Sequence, residues 1–253
     1  LAVKGRLVPQ DPNDEPAAEL LKRIRAEKER LTQAEGLRTG ASEVAAKAPD
    51  WLAQSWGYER LGNLAKFIDY RGRTPKKVSS GIPLITAKNV RFGYIDREPR
   101  EFVTAEEYDE WMTRGFPKVG DVLFTTEAPL GNVATVEIKE PFALAQRVIC
   151  LQPHEQEIGG FLRLALLSNL LQEAIRDEAT GMTATGIKAA KLKEIPVPIP
   201  PLPEQSRIVA AVASLTDLCD RLRERLAARR DLSAKLATAL TEIATRTVES
   251  STC

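Results

Sequence analysis

The residue types best suited to chemistry lie in residues 66–91, where basic side chains far outnumber acids. This stretch contains seven lysines and arginines and a single acid, Asp69. Guanidinium groups can bind a phosphate or a guanine edge with two hydrogen bonds, and lysine binds phosphate as a point charge. A solvated basic loop is the commoner outcome of such a stretch. The candidate contacts with phosphate or base are Arg71, Arg73, Lys76, Lys77, Lys88 and Arg91, and the candidate readers of adenine are Asn89 and Gln146.

The segment that follows is acidic. Residues 96–110 hold seven acids and two bases, so a local charge of −5 follows a local charge of +6. The whole chain, with 36 bases and 35 acids, carries only +1. We therefore expect a polarised surface, although the bulk charge indicates no nucleic-acid partner.

The residues that usually carry catalysis are scarce. The chain has one histidine, His154, in a turn-like Gln-Pro-His-Glu segment where a surface position is expected, and it has no Cys-x-x-Cys, paired histidines or phosphate-binding glycine motif. We therefore expect no catalytic residue, no metal and no cofactor in this chain. Glu137-Ile138-Lys139 matches the acidic-x-Lys element of nucleases, but a strand with one solvent-facing side explains it better. These observations favour a binding or assembly subunit.

Hydropathy and cysteine content indicate the cellular compartment. No apolar run approaches the roughly 18 residues of a membrane span, and residues 1–14 lack the apolar core of a secretion signal. Cys150, Cys219 and Cys253 are scattered and odd in number. A reducing, cytoplasmic setting with no membrane partner is expected.

The hydrophobic pattern predicts an α+β protein in three parts. Residues 1–50 contain a helix from about 14 to 31, capped by Asp14, and a small-residue linker; residues 51–202 form a mixed α/β globule; residues 203–253 form one long helix. Strands are predicted at 64–68, 82–86, 119–125, 133–138 and 148–151, and helices at 104–112 and 160–178. Five prolines in 195–203 predict a stiff spacer at a domain boundary, with a ligand for an SH3-type domain as the alternative.

The final helix has a coiled-coil pattern. Apolar residues recur every seven positions on two adjacent lines, with Arg229 and Ser233 interrupting the middle. A helix from 203 to 247 would be roughly 65 Å long at about 1.5 Å per residue, so it needs a partner helix. The alternative is an ordinary amphipathic helix lying on the globule. The predicted seam residues are Ile208, Val212, Leu215, Cys219, Leu222, Leu226, Leu236, Leu240 and Ile243.

Four stretches of the chain resemble the specificity subunit of type I restriction-modification enzymes, in particular its second half. They are 5–17 (GRLVPQDPNDEPA) with the helix that follows, 81–90 (GIPLITAKNV), 120–124 (GDVLF), and 180–185 (TGMTAT) leading into 198–205 (PIPPLPEQ) and Ile208-Val209. The first and last stretches are the more specific ones. The likeness extends over nearly the whole chain.

This resemblance implies a target recognition domain at about 51–202, which reads one part of a split double-stranded DNA site, and helical regions that dock other subunits. Modification subunits would methylate adenine with S-adenosylmethionine, and restriction subunits would cleave DNA. Family members usually carry two recognition domains, whereas this chain has one, so we expect either a half-subunit that pairs with a copy of itself or a second half-subunit, or a fragment. If the globule docks on a duplex in this way, we expect Arg147 to be a further reader and Thr183, Thr185 and Lys188 to lie near the DNA backbone.

Two other classes stay open at this point. The chain could be a coiled-coil assembly protein that does not touch DNA, or a metal-dependent nuclease. Duplex binding separates the first class from a DNA-reading subunit, and metal-dependent cleavage by the isolated chain would support the second.

Overall fold

The computed structural model describes residues 1–35, 46–70, 74–181 and 185–250, with side chains up to 238 in the last helix. The chain divides into two units, Leu1–Val209 and Ala210–Cys253. The strands are β1 (Gly57–Arg60), β2 (Ala65–Asp69), β3 (Ile82–Ile85), β4 (Phe102–Val103), β5 (Val122–Thr125), β6 (Val133–Thr135), β7 (Ala143–Leu144), β8 (Val148–Pro153) and β9 (Pro196–Ile199). The helices are α1 (Ala17–Glu35), α2 (Leu61–Leu64), α3 (Ala105–Trp111), α4 (Gly159–Leu167), α5 (Asn169–Asp177), α6 (Ala189–Glu194) and α7 (Leu202–Ser250).

Two sheets form the centre of the first unit. One is a four-stranded antiparallel sheet in the order β2-β8-β5-β6, and the other is a three-stranded sheet in the order β4-β3-β7. In the second sheet β3 is antiparallel to β4 and parallel to β7. Val122–Thr125 and the first four residues of β8 are buried on both faces, as expected of central strands. Each of the five predicted strand runs overlaps an observed strand, and the α+β class is confirmed.

Helix α1 packs on the first unit through its apolar face. Leu20, Leu21 and Ile24 are buried. Gly57 of β1 allows this approach, because a Cβ at that position would lie 2.5 Å from Leu21 Cδ1. The helix begins three residues later than predicted. Asp14 does not act as the expected cap, since its carboxylate accepts hydrogen bonds from Arg207 at 2.6 and 3.4 Å.

The predicted helix at 160–178 is two helices. α4 ends at Leu167 and α5 begins at Asn169, with Ser168 in an extended conformation between them. The Ser168 hydroxyl accepts a hydrogen bond from the Leu171 amide and thereby caps α5. The apolar spacing continues through the break, which is why it predicts a single helix.

The proline segment includes a strand. Pro196–Ile199 pairs antiparallel with Gly57–Arg60 in a two-stranded sheet, in which Pro198 is opposite Tyr58. Proline has no amide hydrogen to donate, so it is tolerated only at strand positions where no hydrogen bond to a neighbour is needed. A strand with a single neighbour has such positions. The expected stiff spacer at 195–203 is therefore wrong over 196–199, because this segment is a strand that pairs with Gly57–Arg60 of the same unit.

His154 is not the surface residue expected. It is half-buried, and desolvation lowers the pKa of its imidazole to about 4, with the charge of Lys28 as a second cause. Its Nδ1 atom is buried and has no hydrogen-bond partner. The histidine is therefore neutral at physiological pH.

Candidate nucleic-acid interface

Strand directions bring several loops to one edge of the two sheets. β3 and β7 are parallel, with Ile85 beside Leu144, so the loops that follow them start side by side. The Ala145 amide continues this pairing by donating to the Ile85 carbonyl at 2.9 Å. The first loop carries Lys88 and Arg91, and the second carries Gln146 and Arg147. Residues far apart in the sequence therefore meet.

The four-stranded sheet contributes to the same edge. β5 ends at Thr125 opposite Val148, the first residue of β8, and the Thr126 amide donates to the Arg147 carbonyl at 3.0 Å. β2 also ends here, because Asp69 lies opposite Ile149. We name residues 86–95, 126–132, 145–147 and 185–188 the loop edge. The predicted contacts Arg71 and Arg73 follow β2 but lie outside the described residues.

The segment after α5 joins this edge by backbone pairing. Gly186 bridges both Thr180 and Glu127, and the Ile187 amide donates to the Thr126 carbonyl at 3.0 Å. This pairing places Thr185 and Lys188, both exposed, on the loop edge. The predicted contact Thr183 lies outside the described residues.

The basic side chains of the loop edge are exposed, and two of them are paired with acids. The Arg91 guanidinium lies 3.4 Å from the Asp96 carboxylate, and the Arg147 guanidinium lies 2.8 Å from Glu127. Lys88 is exposed, and Gln146 is half-buried. Ion pairs at exposed positions contribute little to stability, at most about 1 kcal/mol, so an incoming phosphate can compete with these carboxylates for the guanidiniums.

Asn89 is not available to read a base. Its side chain is 1% exposed, its Oδ1 accepts from the amide and hydroxyl of Thr86, and its Nδ2 donates to the carbonyls of Asp96 and Pro99. These four bonds use the full capacity of the amide group. The expectation that Asn89 reads adenine is therefore wrong, and the residue instead holds the loop that carries Lys88 and Arg91.

Lys76 and Lys77 lie away from the loop edge. Val78 bridges Phe102 of β4, and the Lys76 amide donates to the Glu107 carboxylate of α3. Both lysine side chains are exposed, and the Lys77 ammonium lies 2.7 Å from Glu101. The predicted basic set is therefore divided between two places.

Among the described residues, part of the basic stretch pairs with the acidic one. The acidic stretch folds beside the basic one, and ion pairs join them through Asp96 and Glu101. The Lys77–Glu101 pair follows from the bridge of Val78 to Phe102, and the Arg91–Asp96 pair lies across the hairpin in which Val90 bridges Ile95.

Two exposed aromatic residues on the loop edge are absent from the sequence prediction. Phe92 is 58% exposed and Tyr94 is 60% exposed, on either side of Gly93. Their proximity in the sequence to Lys88 and Arg91 could have identified them, since aromatic side chains interleaved with basic residues are typical of nucleic-acid contacts.

The opposite end of β8 lies at a second edge of the sheet, which serves as a control surface for the loop edge. Gln152 donates to the Phe116 carbonyl, and Gln156 donates to the Val119 carbonyl. We name residues 116–119 with 152–156 the far edge. Beneath it, burial raises the pKa of Asp121, whose carboxylate accepts from Gln152 at 2.6 Å and from the Lys118 amide at 2.7 Å.

The predicted seam residues have two environments. Ile208 is fully buried in the first unit, which extends to Val209. Val212 is half-buried and Cys219 is exposed. Leucines on the same side of α7 are 47–60% exposed, and they include two that the heptad count omits, Leu218 and Leu232. The other members of this group are Leu215, Leu222, Leu226 and Leu236. The side chains of Leu240 and Ile243 lie outside the described residues.

In the part of the chain that the structure describes, no group of three or more His, Cys, Asp or Glu side chains could hold a metal ion. Over the same residues, no single helix is long and apolar enough to cross a membrane; the pair 156–167 and 169–177 would suffice together but bends by 69°. Glu137 and Lys139 are exposed beyond the end of β6, and Ile138 between them is buried.

The fold is of the α+β class, and comparison with known proteins gives its family. A family model described as the type I restriction modification DNA specificity domain matches residues 54–229. The EcoAI specificity subunit of Escherichia coli is 28% identical over 260 residues, which cover 96% of this chain and 43% of that protein. The MjaIX specificity subunit of Methanocaldococcus jannaschii is 30% identical over 182 residues, which cover 69% of this chain and 41% of that protein.

The chain belongs to the specificity subunits of type I restriction-modification enzymes, which are the non-catalytic subunits of those systems. It spans less than half the length of the curated relatives it matches. Among solved structures, the HsdS subunit from Thermoanaerobacter tengcongensis aligns with a TM-score of 0.49 and 21% identity over 82% of this chain and 48% of that one.

Proposed function

We propose that this chain is a DNA-reading half of a type I specificity subunit, whose loop edge contacts one part of a split target. The observation that carries the proposal is the convergence of Lys88, Arg91, Arg147 and Lys188 on that edge. These residues come from three separate segments, and strand pairing holds the segments side by side. Exposed lysines can neutralise phosphates, and guanidiniums can exchange a carboxylate partner for a phosphate or a guanine edge.

The second part of the proposal concerns α7. A line of half-exposed leucines favours pairing with another helix, because an apolar stripe of this kind is stabilised when a second helix covers it. The partner is a second copy of this chain or a second half-subunit. Two-fold pairing would present two equivalent recognition domains and favour a palindromic split site.

The chemistry is assigned to other subunits. Modification subunits would dock on the helices, bind S-adenosylmethionine and methylate an adenine that has left the base stack. Restriction subunits would join them to cleave DNA. In this arrangement the present chain recognises the target sequence and sets the distance between the two recognition domains, and it needs no cofactor of its own.

Selection of duplexes from a random pool tests the proposal. Purified chain is incubated at low salt with random-sequence duplex, alone and with its modification subunit, and bound DNA is sequenced over several rounds. We expect enrichment of a defined motif, and affinity for it should fall steeply with salt because phosphate contacts release counterions. Recovery of unenriched DNA, with or without the modification subunit, would contradict a reading function.

A protein that assembles other subunits without touching DNA is the second candidate, because the leucine line of α7 alone would serve it. The same selection separates the two. An assembly protein would retain no duplex, and alanine variants of Lys88 and Lys188 would behave as the unmodified chain does.

A further inference from the structure

The Phe92–Gly93–Tyr94 turn presents two large aromatic side chains to solvent. Both rings are more than half exposed, at 58% and 60%. A single exposed hydrophobic residue is ordinary on a protein surface, but two aromatics in a three-residue turn form a concentrated apolar patch at the tip of a loop. Such a patch is characteristic of a contact site.

The backbone of this turn is fixed by pairing along its own hairpin. Val90 bridges Ile95, and the Arg91 amide donates to the Tyr94 carbonyl at 2.9 Å. Gly93 has a φ of +103°, a conformation that residues with a side chain rarely adopt. The turn is therefore specified by its own sequence.

Neighbouring elements also hold the turn. The Gly93 amide donates to the Val133 carbonyl at 2.8 Å, Asn132 donates to the Val90 carbonyl at 2.8 Å, and Arg163 donates to the Gly93 carbonyl at 3.3 Å. These bonds come from β6, from the residue before it and from α4. The exposed rings are thus carried by a backbone that is anchored from several directions, and a preorganised contact loses less entropy on binding.

The surroundings of the rings indicate the kind of partner. Lys88 and Arg91 precede the turn, and Arg147 and Lys188 lie on the same loop edge. A partner that satisfies both sets of side chains must combine negative charge with flat apolar faces. Stacked bases between two phosphate backbones have both properties, whereas an acidic protein surface has only the charge.

We propose that Phe92 and Tyr94 form an aromatic wedge that enters the base stack of the duplex bound at the loop edge. Large apolar side chains inserted at a base step partly unstack it and bend the DNA, which allows more of the protein to contact the duplex. This inference rests on the proposed DNA-reading function. It adds a role that neither ion pairs nor base-edge hydrogen bonds supply.

The test uses the full chain, the duplex enriched by selection, and a series of duplexes in which 2-aminopurine replaces one base at a time. The fluorescence of 2-aminopurine rises when the base is unstacked. Phe92→Ala and Tyr94→Ala remove the two rings, and Tyr94→Phe retains the ring without the hydroxyl. Phe116→Ala is the matched control, because Phe116 is 49% exposed but lies on the far edge.

We expect the unmodified chain to increase the fluorescence at one or two adjacent positions. Each alanine variant should lose that increase and bind about 5- to 150-fold more weakly, the range that the loss of one ring–base stack gives. Tyr94→Phe and Phe116→Ala should retain both properties. Melting temperatures of the alanine variants should match that of the unmodified chain, since both rings are exposed.

Three results would overturn the wedge. Alanine variants that bind with unchanged affinity and unchanged fluorescence would overturn the wedge and leave the proposed DNA reading intact. Weaker binding without any fluorescence increase in the unmodified chain would show that the rings contact the duplex from outside the stack. Failure of the unmodified chain to bind any duplex would remove both the wedge and the proposed function.

Discussion

The loop edge and helix α7 expose side chains of opposite kinds. On the loop edge, Asn89 beneath the surface makes four hydrogen bonds, and the exposed side chains include cations and two aromatic rings. On α7 the exposed side chains include a regular line of leucines. A surface of the first kind suits a charged, flat ligand, and one of the second kind suits another amphipathic helix. The difference shows that reading and assembly are separate properties of this chain.

The largest expected effect is on assembly. Leu222→Asp combined with Leu226→Asp places two charges in the leucine line of α7, where burial of an unpaired carboxylate costs several kcal/mol. We expect association of the chain to weaken by at least about 100-fold, measured by sedimentation equilibrium.

Ala227→Asp is the matched control, because residue 227 is exposed and lies about 140° around the helix from Leu222 at about 100° per residue. It should associate as the unmodified chain does. Equal association of all three proteins would show that the leucine line is not the helix-pairing surface.

The next effect is on the support beneath the loop edge. Asn89→Ala leaves the carbonyls of Asp96 and Pro99 without their buried donor, and it leaves the Thr86 amide without its acceptor. We expect the free energy of unfolding to fall by about 3 kcal/mol in urea titrations, because each unsatisfied buried group costs about 1–3 kcal/mol. Lys88→Ala, at the exposed neighbouring residue, should leave stability unchanged. A stable Asn89→Ala protein would contradict the bracing role.

A smaller effect concerns pH and His154, the chain's one histidine. Burial lowers its pKa from 6.5 to about 4, so the unfolded chain binds a proton that the folded chain does not in this pH range. Stability should therefore decrease as the pH falls from 6.5 towards 4, by about 1–2 kcal/mol once solvent exposure is allowed for.

His154→Gln should remove this part of the pH dependence. Burial raises the pKa of Glu204, which acts in the opposite direction, but Glu204 is present in both proteins, so comparing them isolates the histidine. Parallel curves of unfolding free energy against pH for the two proteins would contradict the assignment.

The smallest effects are those of single phosphate contacts. Lys88→Ala and Lys188→Ala should each reduce the slope of log affinity against log salt by roughly one unit. Their fluorescence melting curves should match the unmodified chain. Lys139→Ala, an exposed lysine after β6, serves as the control with an unchanged slope.

Much of the fold follows from local sequence. Alternating and continuous apolar runs predict the positions of β2, β3, β5, β6 and β8, and helical spacing predicts α1, α3 and α7. Local pattern misses the break at Ser168, although a serine before Asn-Leu-Leu is a recognisable helix cap. It also misses the strand at 196–199, because its partner lies about 140 residues earlier in the chain.

The site is less predictable than the fold, for a physical reason. Residue type identifies Lys88, Arg91, Arg147 and Lys188 as candidates, but their convergence depends on the parallel pairing of β3 with β7 and on the bridges of Gly186. Shorter-range contacts within residues 86–99 bury Asn89 and pair Arg91 with Asp96. Sequence therefore supplies the candidates, and topology decides which of them face a ligand.

Photo-crosslinking tests the central claim most directly. A benzophenone side chain is introduced in separate proteins at Arg91, Arg147 and Lys188 on the loop edge, and at Phe116 and Val119 on the far edge. Each protein is then irradiated with the selected duplex. We predict DNA adducts from the three loop-edge positions and not from the two far-edge positions. Adducts of equal yield from both edges, or from the far edge alone, would contradict DNA reading by the loop edge.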